Sequence, residues 1–426
     1  MEEPRAVVVG AGPCGSVLAL LLARSGWRVT LLEAAAAGAP RPYRGEGLMP
    51  SGLAVLAAIG MWPLPAAVRH RPLRGWAVVL DRRPFFQAAE PLAGDRGCWL
   101  VDQESLLAQL RLDLVQEWGG QVWEGQAVRG LGTPGAHGRV TGVVLADGEE
   151  MAADLVLACD GRHSALRRQA GLVLQEGEPE SPRERVLWFR LAGAAVAPLE
   201  RWLAGRFLTV VGDGVSFALF AEAAGAGLRL GWVAEAGVAL PSDGAGWRDR
   251  WAAALPKEGS ALLRDLPLPV IDGPQSFPVQ VGWAPRWHVP GLLMLGDAAH
   301  PMSPVRAQGI NMALRDAFVA ARQLGPLADN ASPWRQPSAG GGTEAMHAAV
   351  DALLPGIAQR RLPEILRLQA LQAREMGMGA RLRQQGWLRR GLAVTAPWSG
   401  VLARQRWIQQ QHRLRQGVDE TLALPK

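Results

Sequence analysis

Ala6-Val7-Val8-Val9-Gly10-Ala11-Gly12-Pro13-Cys14-Gly15 is the stretch on which the reading of this chain turns. The β-branched run Val7 to Val9 predicts a short buried strand, the glycines a tight turn, and Val17 to Ala23 a buried helix. Val29 to Glu33 follows as a second strand, so the first 33 residues spell strand, turn, helix, strand. In that setting Gly10, Gly12 and Gly15 form a dinucleotide fingerprint. Gly10 permits the turn, Gly12 lets backbone N–H groups approach a pyrophosphate, and Gly15 lets helix pack on strand. Pro13 belongs to the same ligand-facing turn, and Glu33, closing the second strand, is placed to accept from a ribose hydroxyl. In a chain with 51 glycines the spacing alone would be weak. The flanking strand, helix and acid give it force, although they do not separate FAD from NAD.

Two further apolar runs, Leu155 to Cys159 and Leu292 to Leu295, each lead into an acidic residue beside a glycine. The first continues as Asp160-Gly161-Arg162-His163-Ser164-Ala165-Leu166-Arg167. The second continues as Gly296-Asp297-Ala298-Ala299-His300-Pro301 and on to Pro304 and Gln308-Gly309-Ile310-Asn311. Between them Val186 to Leu191, Phe207 to Val211, Ser216 to Phe220 and Leu228 to Val233 read as strands of a mostly antiparallel sheet. Ala328 to Thr343 reads as a linker. From Glu344 the pattern is helical, with Pro363 at a first-turn position and Ile365, Leu368 and Leu371 on one stripe.

The three motifs, in this order and approximate spacing, resemble those of the group A FAD-dependent monooxygenases, the p-hydroxybenzoate hydroxylase-like family. The resemblance implies an α/β fold: a Rossmann-like FAD-binding domain interleaved with a mostly antiparallel β-sheet substrate domain, plus C-terminal helices. Residues 1–75, 101–180 and 281–327 would form the FAD-binding domain and 76–100 with 181–280 the substrate domain. Residues 328–343 would be the linker and 344–426 the helical region. The resemblance also implies FAD contacts from Asp160, Gly161, Arg167, Gly296 and Asp297, the last on ribityl hydroxyls. Gln308, Gly309, Ile310 and Asn311 would begin a helix whose positive end faces the flavin pyrimidine. Arg44 with Glu46 sits where the family contacts flavin, a surface ion pair being the alternative. Gln103 lies where the family has Arg or Gln. Ala307 replaces a family glycine, and its Cβ disfavours the positive φ expected there.

The implied chemistry is reduction of FAD by NAD(P)H, addition of O2 at flavin C4a, and oxygen transfer from that hydroperoxide to an aromatic or other hydrophobic small molecule. Arg162 and Arg167 would either attract the nicotinamide cofactor's phosphates or anchor FAD. Trp188, Phe189, Phe217, Phe220 and Trp232 are the expected pocket aromatics. No catalytic side chain is identified: His300 and Pro304 are the candidates, His300 reading also as a residue that holds its loop. If a base is needed, His70, His288, His300 or a carboxylate must serve. Tyr43 is the sole tyrosine, which leaves no tyrosine relay in the middle of the chain.

Composition removes other classes. Of 45 basic residues only Lys257 and Lys426 are lysines, and no Trp-x-Trp-x-Ile-Pro segment occurs, which argues against a flavin halogenase. Cys14, Cys98 and Cys159 have neither zinc nor disulfide spacing, so no metal is expected. The acidic start Met1-Glu2-Glu3 and the uncharged, apolar stretch Leu53 to Val68 with its two prolines suit neither a signal peptide nor a membrane span, so a cytoplasmic enzyme is expected. Gln359 to Arg415 carries twelve arginines against Glu364 and Glu375. It reads as a packed helical face, or as a surface for anionic lipid, giving at most peripheral membrane contact; nothing pairs it with a nucleic-acid-reading module. Two alternatives stay open: a flavin reductase or dehydrogenase of an isoprenoid-like substrate, similar to geranylgeranyl reductases, and an FAD-binding protein without turnover.

Overall fold

The computed structural model describes residues 3–39, 46–92, 95–176, 185–225, 227–235, 237–329, 332, 334 and 342–415. In chain order the strands that matter are β1 (Arg5–Val9), β2 (Arg28–Glu33), β3 (Gly75–Leu80), β4 (Arg83–Ala89), β5 (Gln121–Glu124) and β6 (Leu155–Ala158). They continue as β7 (Arg185–Ala192), β8 (Arg206–Gly212), β9 (Val215–Ala221), β10 (Gly227–Ala234), β11 (Ile271–Pro278), β12 (His288–Val289) and β13 (Leu292–Met294).

Among the described residues one sheet runs β12-β13-β6-β1-β2-β5, parallel except at its β12 edge. Strands β1 and β6 are buried on both faces, which is why they read as unbroken apolar runs. Helix α1 (Pro13–Arg24) covers this sheet with nine buried residues, among them Val17, Leu18 and Leu20, and α2 (Gln103–Trp118) packs against α1. Register aligns Val9 with Ala158 and with Leu32, so β1, β2 and β6 end together. Their carboxyl ends release Gly10, Glu33 and Cys159-Asp160 side by side, and β13 adds Leu295-Gly296 through the bond from Leu295 N–H to Ala158 O. Three motifs spread over about 290 residues thus meet at one sheet edge, the crevice where ligands bind in open α/β sheets.

The second sheet runs β11-β7-β10-β9-β8-β3-β4 and is antiparallel except where β3 pairs with β8. One face packs under helix α3 (Gly244–Ala254): Phe189, Phe217 and Trp232 bury against Trp247 and Trp251. The opposite face carries Trp76, Trp188, Phe207 and Phe220.

Helix α4 (Gln308–Leu324) lies almost wholly buried against α1. One correction concerns Pro363. It does not start a helix: α5 (Thr343–Gln384) runs through both Pro355 and Pro363. A proline inside a helix costs about 3 kcal/mol in local terms. Here burial of Leu354, Ile357, Ile365 and Leu368 on both sides of it carries the helix through. Helices α6 (Gly386–Val394) and α7 (Ala396–Arg415) complete the described chain. Arg44, Tyr43 and most of 328–343 fall outside the described residues.

Candidate active site

A cavity of about 830 Å³ opens at the carboxyl end of the parallel sheet and continues to the aromatic face of the second sheet. Its dinucleotide end is lined by Gly10, Gly12, Pro13, Glu33, Gln103, Asp160, Gly161, Arg162 and Asp297, and its deeper end by Pro304, Gly309 and Ile310. The geometry at the first turn is selective. Gly10 has φ +100°, and a Cβ there would lie 2.4 Å from the Cys159 carbonyl oxygen. At Gly12 a Cβ would meet nothing within 4 Å, so the space in front of the helix N-terminus is open. Gly15 faces inward, its ideal Cβ 2.0 Å from Gly10 O, and closes helix onto turn. Glu33 accepts from Ala11 N–H (3.2 Å) and Ala35 N–H (3.0 Å), which orients its carboxylate across the β1–α1 turn.

The second motif is braced by its own acid. Asp160 Oδ2 accepts from Ala165 N–H at 3.0 Å, and its buried Oδ1 has no partner among the described residues. Such an orphaned oxygen on a cavity wall suits a ligand hydroxyl. Arg167 is buried and donates to Ala298 O (2.8 Å) and Arg162 O (3.2 Å), so it ties the second motif to the third from behind and does not line the cavity. Arg162 does line it, 3.9 Å from Asp297. The Gly296 N–H donates to Asp316, leaving Asp297 on the wall, about one-third exposed.

The loop before α4 departs from the expectation for Ala307. Both Arg306 (φ +58°) and Ala307 (φ +49°) adopt the left-handed region that a glycine would take freely, at a cost of roughly 1–2 kcal/mol each. Gly47 makes room, since a Cβ there would stand 3.0 Å from that of Ala307. Arg306 is held by Glu375 (Nε to Oε1, 2.7 Å) and stacks over Trp76 and Trp407 at 4.8 and 5.2 Å. Asn311 and Gln308 are fully buried and do not line the cavity. Asn311 accepts from Met49 N–H (2.9 Å) and donates to Gly47 O and Ala307 O, so its side chain fastens this loop to the segment behind it.

Of the five expected aromatics, Trp188 and Phe220 reach the cavity, while Phe189, Phe217 and Trp232 lie on the other face. Trp76, Phe207, Cys98 and Leu73 line it without having been anticipated. Strict side-chain alternation along β7 and β9 was the available signal, since Trp188 and Phe189 must face opposite ways. None of His70, His288 and His300 lines the cavity. His300 is buried with Nε2 2.5 Å from Asp316, and His288 is held below its ordinary pKa by burial. Besides Glu33, Asp160 and Asp297, the carboxylate that lines it among the described residues is Glu46. It is 6% exposed, so it does not lie on the surface.

The comparisons agree with this geometry. The family model described as FAD binding domain matches residues 3–339. The chain belongs to the group A FAD-dependent monooxygenases. A 6-methylpretetramide 4-monooxygenase of Streptomyces rimosus is 34% identical over 330 residues, covering 74% of this chain and 73% of its own. A menaquinone reductase of Mycolicibacterium smegmatis is 28% identical over 418 residues, covering 90% and 94%. The crystal structure of Pseudomonas aeruginosa PqsL in complex with 2-aminobenzoylacetate superposes with a TM-score of 0.69 over 92% of this chain and 99% of its own, at 21% identity, which is a likeness of fold. The open cradle before α1, the orphaned Asp160 oxygen and the Glu33 carboxylate fit the FAD that this family binds.

Proposed function

We propose that this monooxygenase uses NAD(P)H and O2 to hydroxylate an aromatic or other hydrophobic small molecule, acting in the cytoplasm, where Cys14, Cys98 and Cys159 remain thiols. The observation that carries the reading is the continuity of one cavity from the dinucleotide motifs to an aromatic wall. Phe207 and Phe220 stack 4.9 Å apart there, with Trp76 5.0 Å from Phe207. FAD, when bound, supplies the redox and oxygen chemistry. The chain's part is to bind, orient and exclude water. Gly10, Gly12, Pro13 and Gly15 form the pyrophosphate cradle; Glu33 receives a ribose hydroxyl; Asp160, Gly161, Gln103 and Asp297 hold the remaining polar groups. Gly309 and Ile310, opening α4, place backbone N–H groups and the helix's positive end beside the flavin ring. Arg44 stays a proposed contact. Arg167, Gly296, Gln308 and Asn311 act by holding these loops. Pro304 contributes wall, and His300 holds the third motif.

The test is to purify the yellow holoenzyme and screen aromatic and isoprenoid compounds for stimulated NAD(P)H oxidation, with O2 uptake and product measured together. Uptake stoichiometric with a hydroxylated product is expected. Product without O2 uptake would favour the reductase reading, which the 28% likeness to menaquinone reductase over nearly its whole length supports. NAD(P)H oxidation indifferent to every compound would favour a binding protein. Asp297→Ala should weaken FAD binding by roughly 10- to 100-fold, the worth of a lost charge-assisted hydrogen bond. Melting of the FAD-free protein should not move, because the Asp297 side chain stands on the cavity wall, about one-third exposed, with Arg162 3.9 Å away. Equilibrium titration with FAD reads the effect, and an unchanged affinity would remove Asp297 from the site.

A further inference from the structure

The aromatic half of the cavity holds two charged side chains, and they are treated differently. Arg306 is matched by Glu375 and sandwiched on rings. Glu46 has no counter-ion of its own among the described residues. Its Oε2 accepts from Ala223 N–H at 2.8 Å, the one hydrogen bond to its side chain among the described residues, and its backbone carbonyl is used by Val101 N–H. Among the described residues the charged groups near it have ion pairs with others: Arg229 lies 2.7 Å from Glu222, Arg190 also pairs with Glu222, and Asp102 pairs with Arg69. A buried carboxylate with a spare oxygen on an apolar wall is costly unless something donates to it. Phe220 and Met49, lining the same wall, offer no donor.

We propose that Glu46 receives the hydroxyl or amino hydrogen of a ring-bearing substrate, so that the cavity selects phenols and arylamines over plain hydrocarbons. For a phenol the O–H proton passes to the Glu46 carboxylate and the bonding pair stays on the phenolate oxygen, enriching the ring that is to be hydroxylated. The inference rests on the aromatic-substrate reading. Burial supports it, lifting the Glu46 carboxyl to about 7, where a base at neutral pH is effective. Arg229 and the Ala223 N–H pull against that rise, while Glu222 and Asp102 add to it.

The test titrates the FAD-loaded enzyme with β-naphthol and with naphthalene, which differ by one hydroxyl, reading binding from the flavin absorbance. β-Naphthol should bind at least about 10-fold tighter at mildly alkaline pH, and that advantage should shrink as pH falls through about 7 and Glu46 takes up its proton. Glu46→Gln, with parental FAD content and melting temperature, should lose the pH step; Glu46→Asp should keep a weaker one. Equal affinity of the two probes, or an unaltered pH step in Glu46→Gln, would overturn the assignment while leaving the aromatic-substrate reading intact. Failure of both probes to bind an enzyme that still carries FAD would instead sink that reading and this inference with it.

A separate observation lies on the C-terminal helices. Trp387 and Trp398 are 76% and 79% exposed, together with Val394, Val401 and Leu402. Trp387 and Val394 are seven apart on α6, and Trp398, Val401 and Leu402 share one face of α7. Residues 376–415 contain no acid. Arg383, Arg389 and Arg415 are buried in pairs with Glu235, Asp81 and Glu90, whereas Arg381, Arg390, Arg404, Arg406 and Arg413 are exposed. A second copy on this face would set like charges together. Tryptophan beside exposed arginine that pairs with no acid among the described residues suits the interface of an anionic bilayer. We infer that this face docks on anionic lipid. The enzyme should sediment with phosphatidylglycerol-containing vesicles at low salt, and not with pure phosphatidylcholine; Trp387→Ser/Trp398→Ser should abolish this and keep NAD(P)H oxidase activity. Sedimentation with neither vesicle, or a dimer in ultracentrifugation that the double variant dissolves, would overturn it.

Discussion

Gly12→Val should give a folded protein that purifies without colour. Gly12 caps α1 with φ −76° and ψ −175°, extended backbone that valine adopts readily, and its Cβ would touch nothing in the protein. The isopropyl group would therefore project into the cavity just where a pyrophosphate must approach the free N–H groups of the first helical turn. Fold and binding are separable at this position, as they are not at Gly10, where any Cβ strikes the Cys159 carbonyl. FAD content, about one per chain in the parent, should fall below roughly a tenth, and affinity by at least about 100-fold, once a side chain occupies the phosphate position. The ratio of flavin to protein absorbance measures it, with circular dichroism confirming the fold. Full FAD occupancy in this variant would remove the basis of the dinucleotide reading.

The parts of this architecture that could be read from sequence are those whose signal is local. Gly10 to Gly15, Asp160-Gly161 and Gly296-Asp297 each sit at the end of a short apolar run, and a strand followed by a turn needs no distant information. Their convergence follows from the parallel register of β1, β6 and β13. What stayed hidden depends on partners far along the chain. Glu46 reads as a flavin contact or half of a surface pair beside Arg44, yet it lies buried under Ala223, 177 residues away. Asn311 looks like a flavin contact because it starts a helix at the right place, but Met49 claims its side chain. The Arg-rich C-terminus divides into buried, paired residues and exposed ones only when Asp81, Glu90 and Glu235 of the second sheet and its edges are brought to it. Pro363 reads as a helix start because the tertiary packing that carries α5 past it is invisible locally. The aromatics are an intermediate case: alternation separates Trp188 from Phe189, but which face meets the cavity is decided by where α3 lies.

Asp316→Asn should be the most destabilising of these substitutions. Asp316, at the middle of α4, is completely buried and holds three groups at once: Gly296 N–H at 3.0 Å, His300 Nε2 at 2.5 Å and Arg361 Nε at 2.7 Å. Arg361 continues to Glu364, and Glu364 to Arg315 at 3.0 Å, all of them buried. The carboxylate is thus the hinge of a charged network that fixes the third motif from beneath. Removing one charge leaves Arg361 short of a counter-ion where water cannot enter, an effect of about 3–5 kcal/mol for a broken buried pair. The apparent melting temperature should drop by on the order of 10 °C. The pH dependence has a definite sign. Burial raises the Asp316 pKa, but His300 and Arg361 outweigh it and hold it at about 2, below the ordinary carboxylate value of 3.8. A depressed folded pKa means the stabilisation is present above the unfolded value and is lost as pH falls from about 4 toward 2. The parent should therefore lose stability across that window more steeply than Asp316→Asn, which has no proton to take up there. Asparagine keeps one accepting oxygen where Asp316 uses two, so an oxygen turned to Arg361 leaves Gly296 N–H without an acceptor, and FAD affinity should weaken as well, through the loop and not through contact. Thermal melts of both proteins at neutral and acid pH decide the matter. Equal melting at neutral pH would mean that the third motif is held by its own turn, and His300 would then need another reason to be buried at the end of this network.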